Sequence, residues 1–139
     1  MKPIIIIALA LLVVTACDDP IRIDPPHAVA ADYFDALYNQ RDLEKAISLS
    51  SEANARMLNH YGTVTTVGHY MYNMRFEHVD IRAERPTGIT YLNNADSVRI
   101  RVAFTGYTQG RRIDELREVI LVSENGHWRV DRLLDAPYQ

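Results

Sequence analysis

Apolar residues recur at helical spacing up to Met74 and at every second position from Phe76 onward, so the chain reads as helices first and strands afterwards. Asp24-Pro25-Pro26 is a helix start, with Asp24 able to cap and proline tolerated in the first turn. Ala30, Tyr33, Phe34, Leu37 and Tyr38 then share one face of a helix ending near Gln40, with Asp32, Asp35 and Asn39 opposite. Asp42 caps a second, short helix with Leu43, Ala46 and Ile47 inward. Ser50 or Ser51 opens a third, with Ala53, Met57, Leu58 and Tyr61 inward and Gly62 as its stop. A fourth is expected to bury Val67, Tyr70, Met71 and Met74, although Gly68 interrupts that pattern.

In the second half Val79, Ile81 and Ala83 alternate with Asp80, Arg82 and Glu84, before Pro86 and Gly88 break the strand. Asn93 to Asp96 reads as a turn. Val98, Ile100, Val102 and Phe104 alternate with Arg99, Arg101, Ala103 and Thr105 in the clearest strand of the chain. Gln109-Gly110 turns it into a strand over 115–123, whose run Val119-Ile120-Leu121-Val122 predicts burial on both faces. Asn125-Gly126 marks a hairpin, and the closing strand carries Trp128 and Val130 inward. Helices followed by antiparallel strands define an α+β class, with the helices on one face of the sheet.

Ahead of this domain lies a different kind of sequence. Lys2 precedes an unbroken apolar run from Ile4 to Val14, and Thr15-Ala16 supplies a small-residue exit. The run is too short to span a bilayer and reads as a cleaved secretory signal. Val14-Thr15-Ala16-Cys17 resembles the lipobox of bacterial lipoproteins. That resemblance implies cleavage before Cys17, diacylglycerol on its sulfur and an acylated amine, the palmitate-type anchor of such proteins. Two or more chains make anchoring effectively stable. Asp18 resembles the signal that retains lipoproteins in the inner membrane of enteric-type bacteria. The expected organisation is a signal peptide over 1–16, a lipidated cysteine and tether over 17–24, and one domain over 25–139. The seven residues 18–24 span at most about 25 Å, which keeps the domain near the bilayer on the periplasmic side.

Composition narrows the choices. Residues 1–16 carry one charge, Lys2, so the mature chain of 123 residues holds 14 basic and 18 acidic side chains, net −4. This balance gives no footprint for nucleic acid. Cys17 is the only cysteine. Once it is acylated no disulfide can form, and the fold stands on packing alone.

The order of elements resembles the NTF2-like (SnoaL-like, cystatin-like cone) superfamily over residues 26–134. It is carried by the leading helix from Ala28 to Asn39, by the dip at Arg41-Asp42 into a second helix, and by the ending from Glu118 to Asp131, an alternating strand, a glycine turn and a final strand opening on tryptophan. The resemblance implies a curved sheet wrapped around the first helix, with a conical pocket between them. Tyr33, Leu37, Tyr70, Met74 and Phe104 are the expected lining of that pocket. Ketosteroid-isomerase-like members work with a tyrosine on the first helix and a carboxylate in the pocket, where burial raises its pKa toward neutrality. Tyr33 matches the tyrosine. The inward positions Val98, Ile100, Val102 and Phe104 hold no acid, so one would have to come from Asp35, Asp80 or Glu118.

Other chemistry is sparse. His60, His69 and His78, nine residues apart, fit no metal-ligand spacing, and there is no phosphate loop or serine elbow. No cofactor and no metal are expected. Tyr61, Tyr70, Met71, Tyr72 and Met74 form an adaptable aromatic and methionine patch. Arg99, Arg101, Arg111, Arg117 and Arg129 are expected on the outer face of the sheet, interleaved with Glu77, Glu115 and Asp131. Such a face suits solvent, lipid headgroups or a homodimer. The expected function is non-enzymatic: a membrane-anchored periplasmic lipoprotein whose domain binds a partner protein or a small apolar ligand. The alternatives are an enzyme of the SnoaL type and an accessory or immunity lipoprotein of the envelope.

Overall fold

The computed structural model describes residues 23–87, 91–92 and 96–135. The signal segment 1–16, Cys17, Asp18, Gly88 and the turn at 93–95 lie outside the described residues. Four helices, α1 (Pro26–Asp35), α2 (Leu43–Ser48), α3 (Glu52–Tyr61) and α4 (Val64–Thr66), precede five strands, β1 (His78–Ala83), β2 (Tyr91–Leu92), β3 (Ser97–Thr108), β4 (Arg111–Glu124) and β5 (His127–Leu133). The strands form one antiparallel sheet in the order β1-β3-β4-β5, with β2 paired to the start of β3. The helices pack against it, an α+β arrangement.

Helix α1 starts on its prolines, with Pro26 in the first turn. Pro25, and not Asp24, occupies the N-cap position, and proline has no side chain able to cap. The helix runs on through a π-helical turn, Ala36–Gln40, and stops where Arg41 takes a left-handed conformation at φ 58°. Asp42 then caps α2 by accepting from Lys45 N at 3.0 Å. The inward face of α1 is the expected one: Ala30, Tyr33, Phe34, Leu37 and Tyr38 are all buried.

Helix α3 is turned from its expected phase. Asn54 and Leu58 are buried, while Met57 is 45% exposed and Ala53 also faces solvent. Leu58 supplies the apolar contact, and the Asn54 amide has partners in the core that Met57 would lack. The cap is Ser51, whose Oγ accepts from Asn54 N at 3.1 Å and donates to Asp131 Oδ1 of β5 at 2.7 Å. One hydroxyl thus starts a helix and ties it to the sheet. Ser51→Ala should cost about 1–2 kcal/mol, as loss of a cap usually does, and denaturant unfolding of the variant measures it.

A second π-helical turn, Val67–Met71, follows α4 and changes the phase of the segment. Tyr72 N donates to Val67 O at 3.0 Å, a bond across five residues in place of four. Tyr72 therefore takes the buried place expected of Tyr70, which swings out to 71% exposure.

In the sheet, β3 buries Val98, Ile100, Val102 and Phe104 as expected. Both hairpins have two-residue turns with φ positive at each position, Gln109-Gly110 and Asn125-Gly126, the geometry that matches strand twist. At Gly106 the edge strand comes so close that a Cβ would meet His78 O at 2.6 Å. The pairing of Val102 with Arg117, Ile100 with Val119 and Val98 with Leu121 puts all six on the core side. Arg117 is thus a correction: it is buried, not on the outer face. Its Nε and Nη2 donate to Leu134 O at 3.2 and 3.1 Å, and Nη1 to Tyr72 O at 3.4 Å. Its stem follows the core while carbonyl groups satisfy its charged end. Trp128 has the expected inward parity but is only half-buried, packed at the rim of the core.

Each edge strand is met at one residue. The α2–α3 link pairs with β5, Ser51 N donating to Val130 O and Val130 N to Leu49 O, each at 2.8 Å. On β1, the Asn39 side chain accepts from Val79 N at 3.0 Å and donates to Val79 O at 2.9 Å, as a strand would.

Candidate functional site

The helical layer and the sheet enclose a small polar network inside an aromatic core. The Tyr33 hydroxyl bonds to the Tyr72 hydroxyl at 2.5 Å. Asn54 Nδ2 donates to Tyr33 Oη and to Ser50 Oγ, both at 3.1 Å, and Ser50 Oγ donates to Ala46 O at 2.7 Å. The Tyr33 ring meets Phe34 edge-on at 5.0 Å, and Phe34 meets Phe104 in the same way at 5.0 Å. Sequence reasoning missed Asn54, and it placed Tyr72 in the aromatic and methionine patch without its bond to Tyr33. The signals were there in the Ser-Ser helix start and in a polar residue four before Leu58, but neither names a partner.

Burial pushes the Tyr33 phenol up to about 12, against the opposing effect of its bonds to Tyr72, Asn54 and Ser50. Burial also raises Tyr72, with Tyr33 beside it adding to the rise. A raised phenol stabilises the fold fully below its unfolded pKa of about 10. Between pH about 10 and 12 the unfolded chain ionises and the native one does not, so stability falls by about 1.4 kcal/mol per pH unit for each such tyrosine. The protein should therefore unfold cooperatively in that alkaline window, seen as phenolate absorbance appearing together with loss of helix. Gradual ionisation of all tyrosines with the helix signal intact would contradict the network.

The five residues expected to line a pocket divide. Tyr33, Leu37 and Phe104 are at most 1% exposed and pack into the core. Met74 is buried at its edge, and Tyr70 lies outside, stacked on His69 at 4.4 Å. The carboxylate that proton transfer at Tyr33 requires is not at its hydroxyl. Asp80 and Glu118 face outward, ion-paired with Arg82 at 3.1 Å and Arg99 at 3.6 Å. Asp35 accepts from Asn39 and Gln40 on the surface of the helix, and these bonds hold it below the usual carboxylate range. Among the described residues, the buried polar side chains are Ser50, Ser51, Asn54 and Arg117, with no acid.

Two concavities open at the surface. A half-open cleft of about 160 Å³ lies beyond the end of α1, floored by Val64, Met74 and Phe76 and rimmed by Arg41, His69 and Arg75. A wider depression of about 560 Å³ between α1 and β1 is lined by Asp32, Asp35, Asn39, His78 and Asp80. Among the described residues, no group of three His, Cys, Asp or Glu side chains is placed to hold a metal ion.

The outer face of the sheet carries mixed charge. Its ion pairs are Asp80–Arg82, Glu84–Arg101, Arg99–Glu118 and Arg112–Asp114. The acids differ from those expected: Glu77 accepts from Gln109 N, Asp131 from Ser51, and Glu115 shares the core-side parity of Phe104. Arg111 likewise has the core-side parity, pairing with Thr108 at the exposed tip of the hairpin. Leu116 and Tyr107 stand among the charges at 53% and 52% exposure. No protein-family model matches the chain, and no curated protein matches it.

Proposed function

We propose that this protein is a lipid-anchored lipoprotein of the bacterial envelope, with an NTF2-like domain that acts by binding a protein partner. The anchor rests on Lys2, the run Ile4–Val14 and Val14-Thr15-Ala16-Cys17. The fold reading is supported by a leading helix laid across an antiparallel sheet that closes through two tight hairpins. The observation that carries the non-enzymatic reading is the state of Tyr33. Its hydroxyl is bonded to Tyr72 and Asn54 in an aromatic core, and among the described residues no buried acid lies there. A phenol committed in this way is structural, and recognition falls to the surface, where Leu116 and Tyr107 offer apolar contact within a charged face.

Photo-crosslinking in intact cells tests this. A crosslinker placed at Leu116 or Tyr107 of the lipidated protein should give a discrete protein adduct, and Tyr33→Phe should leave that adduct unchanged. Absence of any adduct from this face, or its loss in Tyr33→Phe with the fold intact, would count against the reading. Asp18 supplies inner-membrane retention in this proposal. In a host with enteric-type sorting, Asp18→Ser should move the protein to the outer membrane, and unchanged fractionation would remove that part.

A further inference from the structure

Six of the twelve described arginines are accounted for by carboxylates or carbonyl groups. Arg56, Arg82, Arg99, Arg101 and Arg112 each lie within 4 Å of a carboxylate, and Arg117 is satisfied by carbonyl groups. Of the other six, Arg41 and Arg75 are the two that line one cleft, the one beyond α1. Arg41 and Arg75 stand on the same rim, and among the described residues neither has an acidic partner. Two like charges facing one hollow without a counter-charge are unfavourable in the free protein, and a bound anion relieves that cost.

Both groups are also held in place. Arg41 Nη2 donates to Phe76 O at 3.1 Å. Arg75 Nη2 bonds to His69 Nε2, and the His69 ring is stacked on Tyr70. A guanidinium has five N–H donors, so each keeps most of its fork for a ligand. The fork geometry matches a carboxylate, which it binds through two parallel bonds. Beneath the rim the floor is apolar, formed by Val64, Met74 and Phe76. The volume of about 160 Å³ is roughly ten times the ~15 Å³ that one water needs, room for a carboxylate and a ring.

We propose that this cleft binds a small organic acid, its carboxylate held by Arg41 and Arg75 and its apolar body seated on Met74 and Phe76. The site is separate from the outer face of the sheet, and the proposal depends on neither the lipid anchor nor a protein partner.

Calorimetric titration of the full mature protein in nanodiscs of zwitterionic lipid, with empty nanodiscs as blank, tests it. Phenylacetate should bind saturably with one site per chain. Arg41→Gln and Arg75→Gln should each weaken it by at least about tenfold, the usual scale for a charge-assisted bond. Thr65 also lines this cleft and is exposed, so Thr65→Glu puts an anion at the site and should abolish binding while the melting temperature holds. The uncharged analogue 2-phenylethanol should bind at least tenfold more weakly than phenylacetate, and so should inorganic phosphate. No saturable heat with phenylacetate would overturn the proposal, as would equal affinity in the folded Thr65→Glu variant. Phosphate binding as tightly as phenylacetate would overturn the role of the apolar floor, and equal binding of 2-phenylethanol would overturn that of the arginines.

Discussion

Cys17→Ser should leave the protein unacylated, uncut and at full precursor length. The proposed lipidation forms a thioether on the cysteine sulfur, and a serine hydroxyl is not a thiolate nucleophile at neutral pH. Cleavage in such proteins depends on prior lipidation, so one substitution should block both steps. Label from a fatty-acid analogue should be lost completely, and the band should migrate above the mature form. The precursor would remain held only by the run Ile4–Val14, eleven residues, which is shorter than the roughly 20 a spanning helix needs. Alkaline carbonate should therefore release a share of the variant and none of the wild type. Label that persists in the variant would exclude Cys17 as the attachment site.

Phe104→Ala should remove about 3–5 kcal/mol of stability, a large share of the 5–15 kcal/mol of a small domain. Phe104 has no exposed surface and sits where α1 meets the sheet. It meets Phe34 and Tyr38 edge-on at 5.0 and 6.3 Å and lies parallel to Phe76 at 6.0 Å. Each of these rings is locked by others, so the space left by the lost ring cannot close without moving the helix from the sheet. Trp128→Ala, at the half-buried rim, should cost less despite its larger side chain, because solvent fills the gap. Denaturant unfolding of the two variants side by side gives the comparison. Equal losses would show that the centre of the core lies elsewhere.

Much of the core follows from sequence neighbours alone. The inward face of α1, the capping of α2 by Asp42, the alternation of β3 and the hairpin at Asn125-Gly126 need only helical period, strand period and turn chemistry. The candidate site is a different matter. The Tyr33–Tyr72 bond joins residues 39 apart, and the Asn54–Tyr33 bond residues 21 apart. Arg41, His69 and Arg75 line one cleft only because the end of α1, the turn after α4 and the approach to β1 converge.

The sequence by itself determined the class of the domain, the order of helices and strands and the apolar stripe that α1 buries, because each is written in a repeat a few residues long. The tertiary structure alone decided which tyrosine of Tyr70 and Tyr72 is inside. One extra residue in the π-helical turn at Val67–Met71 rotates everything after it, and no local pattern encodes that slip. It also decided that Arg117 lies within the core. A charged residue inside a strand is read as outward until the register with Val102 fixes its side, and its burial is tolerated because Tyr72 O and Leu134 O, from distant parts of the chain, meet its guanidinium. Period specifies which face a residue shares with its neighbours, whereas pairing between distant segments specifies what that face meets.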